Sequence, residues 1–225
     1  MAAARRNNLS SRMAVSNSRM AAPDEEARSG KKDLHGSAPD RSPIVLLLID
    51  VINDLEFPGA EALAPNALKA AGPLSSLLER ARRAGIAVIY ANDNFGRWRS
   101  DFRAQLRHCL EDGVRGQTLA EILRPAEADY FVLKPKHSAF YFTALEPLLQ
   151  HLEARTLILA GIAAESCVLF TAHDAYLRDY RLVVPSDCVA SEKPDDTERA
   201  LLQMKQVLKA KVMPAARIEF NELVT

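Results

Sequence analysis

Short apolar runs alternate with longer stretches of helical spacing along the chain after residue 42. The apolar runs have the length of buried strands and cover residues 44–49, 86–91, 130–133, 156–160 and 181–184, with a less regular one at 217–220. The helical stretches cover residues 74–84, 143–153, 164–180 and 196–208. Strands that are apolar on both faces and alternate with helices are typical of parallel sheets covered on both sides. We therefore predict an α/β fold, a three-layer α/β/α sandwich around a mostly parallel sheet of roughly six strands with Rossmann-like topology.

The first 42 residues have a different composition, with almost no large apolar side chains. Such a segment cannot bury enough surface to offset the entropy of ordering it, so we expect residues 1–42 to be a disordered N-terminal extension and residues 43–225 to form one domain. The start is rich in arginine and poor in acid, as transit peptides are. We favour a plain tail, or a start placed too early because Met13 and Met20 are alternative initiators.

Charge and cysteine content narrow the choice of partner and compartment. Lys plus Arg and Asp plus Glu both total 29, and this balance argues against a nucleic-acid partner. No apolar stretch is long enough for a transmembrane helix, so no membrane partner is expected. The three cysteines form neither a disulfide framework nor a zinc spacing, which favours a reducing, cytoplasmic location. The long segment 92–116 reads as a functional loop.

Three reactive side chains follow predicted strands. Asp50 ends the first strand, Lys134 ends the third, and Cys167 lies in the first turn after the fourth. In parallel α/β folds ligands bind beyond the carboxyl ends of the strands, so these residues should meet there. A thiol at a helix N-terminus beside a lysine should have a lowered pKa. Each residue also has an ordinary explanation: a turn cap, a solvated lysine and a small core residue.

Three sequence blocks carry a resemblance to a known family. The blocks are VLLLIDVIND at residues 45–54, VLKPKHSAF at 132–140 and LAGIAAESCV at 159–168. Together they resemble the isochorismatase-like cysteine hydrolase superfamily, whose catalytic Asp, Lys and Cys would be Asp50, Lys134 and Cys167. The lysine is identified as Lys134 because the family's catalytic Lys stands four residues before the Ser of SAF.

The resemblance implies further site features. It implies a cis peptide between Ile162 and Ala163, and an oxyanion hole made by the backbone N–H groups of Ala163 and Cys167. It also implies a homo-oligomer, either a dimer or a tetramer. Nicotinamidases of the superfamily bind a metal through an Asp-x-His motif, but residues 90–99 contain no histidine. We therefore expect no metal and no cofactor.

We predict a hydrolase that cleaves a C–N bond (amide, imide or carbamoyl) of a small molecule through a thioester on Cys167. Asp50 would take the thiol proton, pass it to the leaving amine and then activate the water. The candidates for the substrate pocket are Phe57, Asn92, Trp98 and Phe140. His137, His151 and His173 show no ligand spacing and read as surface or satisfied polar residues.

Three alternatives stay open. One is vinyl-ether hydrolysis of the isochorismatase type, in which Asp50 is the general acid and Cys167 is incidental. Another is a non-catalytic protein that binds small molecules on the same fold. A nucleotide-binding sandwich is disfavoured, because no glycine-rich phosphate loop follows the first strand.

Overall fold

The computed structural model describes residues 41–96 and 101–224. Its strands within that part of the chain are β1 (Ile44–Ile49), β2 (Ala87–Asp93), β3 (Tyr130–Lys134), β4 (Thr156–Ile162), β5 (Arg181–Pro185), β6 (Val189–Ala190) and β7 (Lys211–Met213). The α-helices there are α1 (Ala60–Arg83), α2 (Phe102–Glu111), α3 (Gln117–Ile122), α4 (Leu145–His151), α5 (Leu169–Tyr176) and α6 (Pro194–Gln206). A π-helical turn, Ala164–Val168, leads directly into α5.

The strands form one parallel sheet in the order β3-β2-β1-β4-β5-β7, and the short β6 pairs with the end of β4. The chain fills the sheet outward from β1 on one side, then returns to β4 and fills the other side. This order confirms the predicted fold. It also creates a switch point between β1 and β4, and in open α/β sheets ligands bind beyond the carboxyl ends of the strands at such a point.

Strand β1 lies between two apolar layers, and all six of its residues are buried. Leu46 and Leu48 face the layer that includes Leu74 and Leu77 of α1. Val45, Leu47 and Ile49 face the opposite layer, whose helical members include Leu149 from α4, Ala172 from α5 and Met204 from α6. The unbroken apolar sequence of β1 is therefore the consequence of helices on both faces.

Helix α1 begins at Ala60, earlier than the predicted start at residue 74. Pro65 and Pro73 lie inside it, and prolines normally predict a helix end. The helix continues because Leu63, Ala67 and other small apolar residues keep one face buried along its length.

The segment 92–116, which we predicted to be a long functional loop, contains α2. The carboxylate of Asp101 caps this helix by accepting a hydrogen bond from the Ala104 N–H at 2.7 Å. Only Phe102 and Cys109 of the helix are buried, so its polar sequence concealed the helical pattern. Trp98 lies outside the described residues.

Both ends of the predicted domain differ from the expectation in detail. The last strand is Lys211–Met213, so the strand predicted at 217–220 is wrong; 3₁₀ turns occupy Ala215–Arg217 and Phe220–Leu223 instead. Ser42 is buried and its N–H donates to the Leu152 carbonyl at 2.7 Å, which places it inside the domain. The remaining extension, 1–40, lies outside the described residues. In the described part of the chain, no helix has the length and apolar character needed to cross a membrane.

Candidate active site

Asp50 is the first residue after β1 and is buried at the switch point. Its backbone has a φ of 54°, a left-handed conformation that Asp tolerates better than most residues. Its Oδ1 accepts a hydrogen bond from the Asp93 N–H at 2.6 Å, which ties the carboxylate to the end of β2. The other oxygen, Oδ2, faces the ammonium of Lys134.

Lys134 ends β3 and is fully buried. Its Nζ lies 2.8 Å from Oδ2 of Asp50 and 3.6 Å from Oδ2 of Asp93. It also donates to the carbonyl of Lys136 at 3.2 Å, so the chain after β3 folds back over the ammonium. A buried ammonium is tolerated only where such partners replace its water shell.

Cys167 lies in the π-helical turn after β4 and is partly buried. Its Sγ is 3.4 Å from Nζ of Lys134, and the Asp50 carboxylate is close enough to raise the pKa of the thiol. The hydroxyl of Thr171 donates to the Cys167 carbonyl at 2.7 Å and accepts from the Ala139 N–H at 3.0 Å. The hydroxyl of Thr171 therefore links the second sequence block to the third at the nucleophile.

The electrostatics of this cluster differ from the expectation at the thiol. Burial and the charge of Asp50 raise the pKa of Cys167 from 9.0 to about 12, against a lowering effect of Lys134. The predicted lowering of this pKa is therefore wrong. Burial also raises the pKa of Asp50, and the opposing influence of Lys134 is smaller. Burial lowers the pKa of Lys134. The neighbouring Asp50 and Cys167 together raise this pKa by more than burial lowers it, so the net shift is upward. The arrangement contains a protonated thiol beside a carboxylate that binds protons more readily than usual.

The backbone between β4 and the thiol has two notable features. The Ile162–Ala163 peptide bond is cis. The carbonyl of Ala163 accepts hydrogen bonds from the N–H groups of Ser166 and Val168, both at 3.2 Å. It does not pair with the N–H of Cys167, which lies between them in the sequence.

The predicted pocket residues lie in different settings. Phe57 is partly buried and packs against the core. Asn92 is buried, and its amide donates to the carbonyl of Ile52 at 2.8 Å. Phe140 is buried under the guanidinium of Arg178, whose Cζ is 4.9 Å from the ring centroid.

His137 is exposed, and its position also makes it a functional candidate, although the sequence predicts a surface or satisfied polar residue there. Its Nδ1 lies 3.7 Å from Sγ of Cys167 and 3.4 Å from Oγ of Ser166. The available signal was its position three residues after Lys134, inside the second block. Among residues 41–96 and 101–224, no group of three or more His, Cys, Asp or Glu side chains could hold a metal ion.

Known proteins resemble this chain over most of its length. The family model of the Isochorismatase domain matches residues 45–217. YaaI, an uncharacterised isochorismatase family protein of Bacillus subtilis, is 43% identical over 173 residues, covering 77% of this chain and 94% of the relative. Maleamate amidohydrolase of Pseudomonas putida is 29% identical over 170 residues, covering 71% of this chain and 78% of the relative.

Solved structures show the same likeness in three dimensions. The crystal structure of N-carbamoylsarcosine amidase from Thermoplasma acidophilum superposes with a TM-score of 0.61 at 30% identity, covering 78% of this chain and 98% of that one. Since the family model spans most of the chain and a relative is 43% identical over 77% of it, this chain belongs to the isochorismatase family of hydrolases, which includes amidohydrolases.

Proposed function

We propose that this chain is a cysteine amidohydrolase that cleaves an amide, imide or carbamoyl C–N bond of a small molecule through a thioester on Cys167. The observation that carries the proposal is the position of the Lys134 ammonium. It lies 2.8 Å from Oδ2 of Asp50 and 3.4 Å from Sγ of Cys167, so one buried cation contacts both a proton acceptor and a nucleophile.

Formation of the thioester must be coupled to proton transfer. With a pKa of about 12 for the Cys167 thiol, a free thiolate at pH 7 would cost roughly 7 kcal/mol. Direct transfer of the proton to Asp50 during attack avoids that intermediate, and burial makes Asp50 a stronger base than an exposed carboxylate. Sγ then bonds to the carbonyl carbon, the C–N bond breaks, and Asp50 protonates the departing nitrogen. Lys134 keeps its charge and stabilises negative charge on sulfur.

We assign the oxyanion hole to the backbone N–H groups of Ala163 and Cys167. The Ala163 carbonyl pairs with the N–H groups on either side of Cys167 and not with that of Cys167 itself. The backbone N–H of Cys167 can thus point at the substrate oxygen that becomes negative during attack.

The relatives support the bond class and leave the remaining details as proposals. Two similar proteins are named an amidohydrolase and an amidase. Phe57, Asn92 and Trp98 remain our candidates for the substrate pocket, whereas we assign Phe140 to packing because its ring lies under the guanidinium of Arg178. We further propose a cytoplasmic location, since the three cysteines are free and a reducing compartment keeps them so. The family resemblance is the ground on which we propose a homo-oligomer.

The test measures ammonia release from a panel of small amides, ureides and carbamoyl compounds. Cys167→Ala should abolish turnover, and denaturing mass spectrometry of the wild-type enzyme in turnover should show an acyl group on Cys167. Cys109→Ala is the matched control, because that cysteine lies in the core. Full turnover by Cys167→Ala on a substrate of the wild-type enzyme would disprove the thioester route and favour vinyl-ether or other acid-catalysed hydrolysis.

A further inference from the structure

We propose that Asp93 is a positioning residue that keeps the Lys134 ammonium charged and in place while Asp50 holds the proton of the thiol. This inference rests on the proposed function, in which Lys134 keeps its charge during attack. It begins from the partners of the ammonium. In the part of the chain that the structure describes, the titratable groups in contact with Nζ are Asp50 at 2.8 Å, Cys167 at 3.4 Å and Asp93 at 3.6 Å.

Strand pairing places Asp93 beside the lysine. Asp93 is the last residue of β2, Lys134 is the last residue of β3, and the two are partners in the register of this parallel pair. Oδ1 of Asp93 accepts the Phe95 N–H at 2.6 Å, which fixes the carboxylate, and Oδ2 is the oxygen that faces Nζ. The N–H of Asp93 donates to Oδ1 of Asp50 at 2.6 Å. One residue therefore holds the base through its backbone and faces the cation through its side chain.

The two carboxylates that face the ammonium have different surroundings. The side chain of Asp50 is 6% exposed, whereas that of Asp93 is 29% exposed. Burial raises the pKa of Asp50, which suits this carboxylate to accepting a proton. Water can solvate the charge of Asp93 throughout the reaction. The geometry thus divides two tasks between the carboxylates, because Asp50 exchanges protons and Asp93 stays the anion.

This division matters at the moment of attack. When the thiol proton passes to Asp50, Sγ bonds to the carbonyl carbon and the negative charge moves to the carbonyl oxygen. Asp50 is then neutral, and Asp93 is the carboxylate that still contacts the fully buried ammonium.

A buried ammonium that lacks an anionic partner releases its proton more readily, because burial disfavours the charged form. Burial lowers the pKa of Lys134, and the neighbouring charges, those of Asp50, Cys167 and Asp93, raise it. Without Asp93, the lysine would tend towards a neutral amine at the step in which its charge is needed. Formation of the thioester should then be slower.

The first experiment reproduces the charge state of attack in the resting protein. Asp50→Asn makes that position neutral, so that Asp93 is the carboxylate left beside Lys134. We expect NMR of the full-length protein, labelled with ¹³C at lysine Cε, to show Lys134 still protonated at about pH 7 in this variant. Adding Asp93→Asn should lower the midpoint of the Lys134 titration by about two pH units. The signal is assigned by its absence in Lys134→Met.

The kinetic consequence is measured with p-nitrophenyl acetate, which acylates a reactive thiol and reports that step by release of nitrophenolate. Asp93→Asn keeps the backbone N–H that binds Asp50 and an oxygen for the Phe95 N–H, so it removes mainly the charge. The burst should slow about tenfold with its amplitude unchanged. The loss should grow as the pH rises, because the ammonium deprotonates at a lower pH in the variant.

Glu127→Gln is the matched control, because it removes an exposed carboxylate near the opposite end of β3 and should leave the burst rate unchanged. Equal Lys134 midpoints in Asp50→Asn with and without Asp93→Asn would overturn the inference, and so would a wild-type burst rate in Asp93→Asn at every pH. Failure of wild-type Cys167 to become acylated is a different result, because it would reject the proposed function and with it any catalytic role of Asp93.

Discussion

The ammonium of Lys134 lies 2.8 Å from Oδ2 of Asp50, and both side chains are buried. Each charge is expensive to remove from water, and their attraction offsets that cost only while both are present. The opposite charges of Asp50 and Lys134 largely cancel in their effect on the neighbouring thiol. This neutrality explains why burial, rather than the lysine, determines the direction in which the pKa of Cys167 is shifted.

The first prediction concerns the stability of this pair. Lys134→Met should lower the free energy of unfolding by about 3–5 kcal/mol, because it leaves the buried Asp50 without its cation. Asp50→Asn combined with Lys134→Met should recover part of that loss, since no uncompensated charge remains. Urea unfolding followed by circular dichroism measures both.

The exposed Lys136, two residues along, provides the control for loss of a lysine. Lys136→Met should change the stability by less than about 0.5 kcal/mol. A double variant as unstable as Lys134→Met alone would show that packing of the lysine stem, and not charge pairing with Asp50, is what stabilises the site.

The second prediction follows from the direction of the thiol shift. With a pKa of about 12, Cys167 in the free enzyme is almost entirely protonated near neutral pH, so its alkylation by iodoacetamide should be slow and rise about tenfold per pH unit from 7 to 10. Asp50→Asn removes a charge that raises this pKa while Lys134 remains. The variant should therefore alkylate faster than wild type and yet lose turnover.

Mass spectrometry of the alkylated peptides measures the rate at each cysteine separately. Cys109 and Cys188 are buried, and burial raises the pKa of both thiols, so they serve as internal references. Slower alkylation of Cys167 in Asp50→Asn than in wild type would contradict this account of the electrostatics.

The sequence alone was sufficient to predict that the reactive residues lie close together. Asp50 and Lys134 end strands, and parallel strands present their carboxyl ends at one edge, so their meeting follows from topology. The sign of the Cys167 pKa shift could not be obtained in this way. It depends on how far burial outweighs a neighbouring charge, and burial is set by the packing of the whole chain.

His137 and α2 were missed for different physical reasons. His137 reaches Cys167 because residues after Lys134 fold back over its ammonium, as the bond to the Lys136 carbonyl shows. That loop conformation has no periodic signature. Helix α2 has a polar surface with few buried residues, so its spacing carries little apolar signal, and its N-cap Asp101 was the available clue.

The third prediction concerns the backbone that leads to the cis peptide. Gly161 has a φ of 124°, and a Cβ there would overlap the backbone carbonyl of Ile49, the residue before Asp50. Gly161→Ala should lower the free energy of unfolding by about 3 kcal/mol, because neither backbone can move without disturbing β1 or β4. Gly72→Ala is the control: a Cβ there meets nothing within 4 Å in α1, and it should stabilise by about 0.5–1 kcal/mol. Equal unfolding midpoints for the two variants would contradict the argument.

The last prediction separates two roles for Phe140. The ring lies 4.9 Å from Cζ of Arg178 and 6.0 Å from the ring of Tyr180, centroid to centroid, so most of its contribution should be to packing. Phe140→Ala should lower the free energy of unfolding by about 3 kcal/mol through the cavity it leaves. Its KM for the substrate found by the panel should stay within twofold of wild type. Phe142, which is 86% exposed, supplies the matched control, and Phe142→Ala should change neither quantity. A raised KM in Phe140→Ala with unchanged stability would instead assign the ring to the wall of the substrate pocket.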